Sequence, residues 1–420
     1  MISTNDWAAI AEAEAALAGI FAEIDRTATV NTKKVLDAFS KNRVSDTCFA
    51  GTTGYGYNDR GRETLEAVYR DIFGTESARV RTNFVNGTHA ITCAVYGCCA
   101  RRGTILSVTG RPYDTFATAL GISGSAPGSF REEGYSYREV ALLPDGEPDY
   151  AGIAASVREL TAAGELSCVI LQRSRGYAQR PALSVADIGK IADAVRSENA
   201  EVPIFCDNCY GEFVDDTEPT QAGVDIVAGS LIKNIGGGIS PCGGYIAGKS
   251  ELVERAAARL SSPGIGGECG ATLGVNRELF QGLFLAPHTT AQALKTAVFA
   301  AYVFEKAGFS VSPAWHERRF DIVQTITLGS PELVEKFCLG IQKSSPVDAF
   351  VTPKPWAMPG YECDVIMAAG AFIQGASIEL SADSPMTPPY TVYMQGGLTY
   401  ESGKLAALAA IGEMRDEAET

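Results

Sequence analysis

Two residues in one short stretch carry the chain's strongest chemical signal. Between positions 204 and 248, Asp207 stands at the end of an apolar run that begins at Ile204. A second run, Val224 to Ala228, leads into Gly229-Ser230-Leu231-Ile232-Lys233. Three glycines, Gly236 to Gly238, and a further pair, Gly243 and Gly244, follow the lysine. An ammonium is hard to hold in apolar, glycine-rich surroundings, so the pKa of Lys233 is expected to fall and its free amine to become a nucleophile for Schiff-base chemistry. An acid at a neighbouring strand end can keep a heteroaromatic ring nitrogen protonated and the ring an electron sink. Pyridoxal 5′-phosphate (PLP) makes both demands. Asp207 and Lys233 fit them, with the Ser230 hydroxyl three residues before the lysine.

A phosphate needs donors, and two places offer them. Val80 to Val85 reads as a strand, followed by Asn86-Gly87-Thr88-His89 and an apolar helix from Ala90 to Cys99. Small residues opening a helix leave backbone N–H groups at the positive end of its dipole. Arg173-Ser174-Arg175-Gly176-Tyr177, after a strand from Val169 to Gln172, sets two guanidinium groups beside a glycine. Either could grip a carboxylate or a phosphate through paired hydrogen bonds.

The stretches CDNCYGEF and SLIKNIGGG resemble the PLP-dependent methionine gamma-lyase family, in the branch labelled aluminium resistance protein, and the likeness runs from about Thr52 to Tyr400. The resemblance implies PLP fold type I: an α/β fold with a mostly parallel sheet, helices on both faces, and a smaller C-terminal α+β domain. It implies a phosphate cup at Gly87, Thr88 and His89. It also places Tyr113, in Gly110-Arg111-Pro112-Tyr113-Asp114, over the cofactor ring, where its hydroxyl can protonate a leaving group. In the family a tyrosine and an arginine before this cup reach the neighbouring subunit's phosphate. Tyr57 and Arg62 are the candidates here, with Tyr55 and Arg60 as rivals.

One departure concerns the substrate. The resemblance leads to an arginine near SADSPMTPPY for the substrate carboxylate, yet Met386 and Thr387 stand there, and no arginine occurs between Arg319 and Arg415. Arg175 is then the favoured carboxylate partner, because Gly176 beside it allows close approach, with Arg173 next. The implied activity is elimination of a sulfur or related leaving group from a small amino acid, giving a 2-oxo acid and ammonia, with Lys233, Tyr113 and Asp207 as catalytic residues. Beta-elimination, gamma-replacement, transamination, aldol cleavage, or PLP binding without turnover would use the same fold.

The elements that must position these groups follow from the rhythm of the chain. Strands alternating with helices predict a mostly parallel sheet whose ligands sit beyond the carboxyl ends of its strands. Two helices, Trp7 to Ile24 and Asn31 to Lys41, the first capped near Asn5 or Asp6, make residues 1–44 an N-terminal helical segment packed across a neighbouring domain or subunit. Residues 45–300 form the large PLP-binding domain and 301–420 the smaller one. A chain of 420 residues that is 46% hydrophobic is beyond the size at which one core keeps growing.

A net charge of −15 argues against nucleic acid as a partner and suits a soluble cytoplasmic protein. No apolar run approaches the roughly 18 residues of a membrane helix, and acids occupy the N-terminus where a signal peptide carries basic residues. The 11 cysteines are scattered through apolar runs and read as buried thiols. Cys206 and Cys209 form a C-x-x-C without the second pair that zinc would need, so no metal site is expected. The expected assembly is a homodimer or homotetramer with shared active sites.

Overall fold

The computed structural model describes residues 4–123, 126–358 and 363–415. Seven strands make the larger sheet: β1 (Ser77–Arg81), β2 (Thr104–Ser107), β3 (Ser136–Glu139), β4 (Leu166–Gln172), β5 (Ile204–Asp207), β6 (Ile226–Ser230) and β7 (Gly244–Gly248). Their order is β1-β7-β6-β5-β4-β2-β3, and β7 alone runs against its neighbours. After β2 the chain steps outward to β3, then returns to the other side of β2 for β4. That reversal opens a crevice at the carboxyl ends of β2 and β4, where an open α/β sheet takes its ligand.

Strands buried on both faces need apolar residues in unbroken runs. In β4, Cys168 and Ile170 face one core while Val169 and Leu171 face the other. In β5, Phe205 faces the first and Ile204 and Cys206 the second. The first core is closed by α3 (Gly87–Cys98), α4 (Asp114–Leu120) and α7 (Ser250–Leu260), the second by α2 (Arg60–Phe73), α5 (Tyr150–Ala162) and α6 (Val185–Arg196).

The smaller sheet is antiparallel throughout. Its strands are β8 (Ser310–Ser312), β9 (Val323–Thr327), β10 (Val365–Ala369), β11 (Ser381–Pro385) and β12 (Thr391–Gln395), in the order β10-β11-β12-β9-β8. Helices α9 (Pro331–Lys343) and α10 (Tyr400–Arg415) share its core.

Two long helices join the cores. The N-terminal segment is one helix, α1 (Thr4–Lys41), rather than the expected two, and it is already under way at Thr4. Its Ile10, Ala13 and Leu17 enter the small-sheet core, and Val35 and Ala38 the large-sheet core. The β-branched residues Thr27, Thr29 and Val30 suggest a break there. Packing overrides that local preference, and buried Asn31 ties the middle of the helix to the carbonyls of Phe213 and Asp215 at 3.2 and 2.9 Å. Helix α8 (Asn276–Lys306) does the same, with Leu279 to Ala286 in one core and Val298 to Phe304 in the other. The position 300/301 expected as a boundary falls inside it. Among the described residues, no helix is long and apolar enough to cross a membrane.

Candidate active site

A cavity of about 350 Å³ lies between the carboxyl ends of the large sheet and the face of the small one. The large sheet contributes Tyr113, Gln172, Asp207, Cys209, Tyr210, Ser230 and Lys233, and the small sheet Val323, Asp383, Tyr393 and Gln395.

Lys233 follows β6 directly, in a tight turn that its glycines make possible. A Cβ on Gly236 would lie 1.6 Å from the carbonyl oxygen of Leu231, so only glycine fits beneath the lysine. The Lys233 Nζ lies 2.8 Å from both the Tyr210 hydroxyl and the Ser377 Oγ, and 4.2 Å from the centre of the Tyr210 ring. Tyr210 is held at φ 33°, a region seldom used by residues other than glycine. Burial pulls the Lys233 ammonium down, but Tyr210, Cys209 and Asp207 outweigh it and the net shift is upward. This corrects the expectation of a lowered pKa: the acidic neighbours of the lysine were not weighed against its burial.

Asp207 ends β5 and is nearly inaccessible. Its Oδ1 accepts the backbone N–H of Cys209 at 3.1 Å. Burial pushes its pKa up to about 6, while that N–H and the Lys233 charge pull the other way. A cationic partner entering the cavity would restore the charged form. Tyr113 caps α4 and sits 3.3 Å from the Thr88 hydroxyl. Burial, then the charge of Asp207, raises its phenol well above the ordinary value, which favours the protonated form.

The start of α3 forms the anion end of the cavity. Asn86 caps the helix by accepting the N–H of His89 at 2.8 Å, a contact that contributes about 1 kcal/mol. The N–H of Ala90 bonds the carbonyl of Asn86. Of the N–H groups of the first turn, this leaves those of Gly87 and Thr88, which have no carbonyl further back in the helix to bond, and both residues line the cavity. A Cβ on Gly87 would lie 2.9 Å from the Cβ of Ser230, so glycine brings the helix end and the Ser230 hydroxyl together. These donors, Asp207 and Lys233 fit the phosphate, ring nitrogen and aldehyde of PLP.

Five sequence candidates stand elsewhere. His89 does not line the cavity: its Nδ1 accepts the N–H of Val85 at 3.2 Å, and its ring meets Phe84 edge-on. Arg62 is 2% exposed, with Nη1 on the carbonyls of Gly56 and Gly270 at 2.6 and 2.8 Å and Nη2 on that of Glu268 at 3.2 Å. It fastens two loops to each other and does not line the cavity of its own chain. Arg173 is fully buried, bonded to Asn208 at 2.9 Å and paired with Glu218 and Asp215 at 3.5 and 3.7 Å. Arg175 turns to Ser312 and Thr325, 3.1 to 3.3 Å away. Neither arginine lines the cavity, which corrects both as partners of a substrate carboxylate. Ser174, Gly176 and Tyr177 of this loop line the cavity and its two arginines do not. Tyr57 is 56% exposed, stacked on Tyr55 at 5.6 Å, and also lies outside the cavity of its own chain.

The structure adds residues that the sequence reading did not select. Tyr210 and Ser377 hold the lysine, Tyr177 lines the cavity from the loop after β4, and Asp383, Tyr393 and Gln395 build the small-sheet wall. Tyr210 could have been found, since it stands three residues after Asp207 on the same turn. The others carry no local motif. Thr387, where an arginine was expected, is exposed beyond the end of β11 and does not line the cavity.

Comparison with known proteins bears on this geometry. The family model for methionine gamma-lyase matches residues 7–415. A carbon–sulfur lyase involved in aluminum resistance from Clostridium novyi NT has a similar structure, with TM-score 0.93 and 46% identity, covering 98% of this chain and 96% of that one. The uncharacterized protein YnbB of Bacillus subtilis strain 168 is 46% identical over 404 residues, 96% of this chain and 95% of its own length. The pyridoxal-5′-phosphate dependent protein YhfS of Escherichia coli shares the fold at TM-score 0.61 and 16% identity, covering 93% and 97% of the two chains.

Proposed function

Because the chain belongs to the methionine gamma-lyase family, whose members are PLP-dependent carbon–sulfur lyases, we propose that it eliminates a sulfur leaving group from an amino acid, releasing a thiol, ammonia and a 2-oxo acid. The observation that carries this reading is the placement of Lys233 Nζ, 2.8 Å from Tyr210 and Ser377, in one cavity with Asp207, Tyr113 and the opening of α3. When bound, PLP supplies an aldehyde for amino groups and a ring that takes up an electron pair from Cα.

The chain's own residues do the rest. Gly87, Thr88 and Ser230 bind the phosphate, and Asp207 keeps a negative charge against the ring nitrogen. The Lys233 amine takes the proton from Cα, held over the reacting carbon by Tyr210 and Ser377. The protonated Tyr113 gives its proton to the departing sulfur. One C–S bond breaks and one water is consumed. For a leaving group on Cγ, a second proton must also leave Cβ, and the Lys233 amine can take it once it has passed on the proton from Cα. The same reading has the protein working as a homo-oligomer, with the exposed Tyr55–Tyr57 stack turned to a neighbouring copy. An ammonia-release screen over amino acids with sulfur and oxygen leaving groups, with mass identification of the keto acid, tests the reaction. A keto acid that still carries its sulfur would point to transamination instead.

A further inference from the structure

The substrate side of the cavity holds an unexplained acid. Asp383 lies in β11, is 5% exposed and lines the cavity together with Lys233. Its Oδ2 accepts the Tyr177 hydroxyl at 3.1 Å and the Gln395 amide at 3.2 Å. Its Oδ1 is equally buried and has no hydrogen-bond partner among the described residues. The frame around it is rigid: Tyr393 donates to the Tyr177 carbonyl at 2.7 Å, and the two rings meet at 4.9 Å. Among the described residues lining the cavity, Lys233 is the only cation, and no guanidinium reaches it.

A buried carboxylate oxygen without a donor is costly, and an entering ligand can remove that cost. Among the described residues, three acids line the cavity: Asp207 serves the cofactor ring, Asp114 stands in the first turn of α4 beside Tyr113, and Asp383 is the one on the small-sheet wall, left for the substrate. The α-amine cannot be its lasting partner, because that nitrogen is taken up by the cofactor beside Lys233. A second donor on the substrate is needed. We propose that Asp383 is a specificity-determining residue that receives an ammonium on the substrate's side chain, so that the enzyme prefers amino acids with a cationic end over those ending in a methyl group. The inference rests on the proposed function only for the fate of the α-amine.

The test uses the PLP-loaded protein and two isosteric probes, L-ornithine and L-norleucine, whose binding is read from the visible cofactor band without need of turnover. A charge-assisted hydrogen bond in such a site changes affinity by about ten- to hundredfold. Ornithine is expected to bind at least about tenfold more tightly than norleucine, and Asp383→Asn to bring the ratio toward one. Equal or tighter binding of norleucine by the unaltered protein overturns the proposal, whatever the variant does. A ratio unchanged in a folded, PLP-loaded Asp383→Asn protein also overturns it. Turnover of S-(2-aminoethyl)-L-cysteine against S-propyl-L-cysteine should show the same preference in kcat/KM. If neither thioether releases a thiol, elimination at Cβ is what fails, and the binding ratio still decides the role of Asp383.

Discussion

The two walls of the cavity are charged in different ways. On the large-sheet wall the charges of Lys233 and Asp207 offset each other, and the N-terminus of α3 offers donors to an anion. The small-sheet wall carries one acid, one phenol and an amide, with no cation of its own among the described residues. A wall with donors, an acid and an amine in fixed places is built around one constant guest, the cofactor. A wall with a single unsatisfied carboxylate is built around a guest that comes and goes and brings its own charge. The first should fail in the chemistry when altered, the second in the choice of substrate.

Lys233→Ala should break the first wall most completely. With no amine to move the Cα proton, turnover measured by ammonia release is expected to fall by more than about 10³-fold. Borohydride reduction should fix the cofactor to Lys233 in the unaltered protein and to no residue in the variant. Labelling of Lys249 or Lys295 would move the reactive amine elsewhere. Asp207→Asn comes next. The amide keeps the shape but cannot hold charge against the ring nitrogen, so the variant should bind PLP and lose about 10²- to 10³-fold in kcat. Near-normal kcat would mean another acid serves the ring.

How far each wall was legible follows from how it is encoded. Asp207 ends one strand and Lys233 stands three residues beyond the end of the next, so the strand rhythm and the glycines around them were enough to place both. Gly87 and Thr88 were readable because a helix start is a local event. His89 was not, since its neighbours in sequence look the same whether its ring faces the cavity or Val85. The arginines of 173–175 were misplaced for a similar reason: the segment was right, but which side of a loop each residue takes is decided by distant partners, Glu218 for one and Ser312 for the other. Asp383, Tyr393 and Gln395 reach the cavity only because β11 and β12 are docked against the large sheet by α1 and α8. Nothing in SADSP itself announces that contact. The single helix α1 was missed because its continuity comes from packing on both cores.

Arg173 backs the large-sheet wall, bonding Asn208 next to Asp207 while remaining fully buried. Removing one partner from a buried ion pair leaves the others uncompensated, at about 3–5 kcal/mol. Arg173→Ala should therefore lower stability in urea melts by that amount. A change in KM for substrate with stability intact would instead return Arg173 to the substrate site.

The smallest effect, and the one that bears most directly on the second wall, concerns Asp383 in the cofactor-free protein. Burial raises its pKa from 3.8 to about 6, against the pull of the Tyr177 hydroxyl and the Lys233 charge. Between those values the folded chain binds a proton that the unfolded chain has released. The associated stability is fully present below about pH 3.8 and is lost as the pH rises through about 6. At pH 8 the ionised group then costs the fold up to about 3 kcal/mol, a cost that asparagine does not carry. Asp383→Asn should be more stable than the unaltered protein by about 1–3 kcal/mol at pH 8, with the gap closing toward pH 4. Asp207 titrates alike in both proteins and cancels in the comparison. A constant gap across that range would mean Asp383 is already paired in the empty cavity, and the small-sheet wall would then be as self-sufficient as the large one.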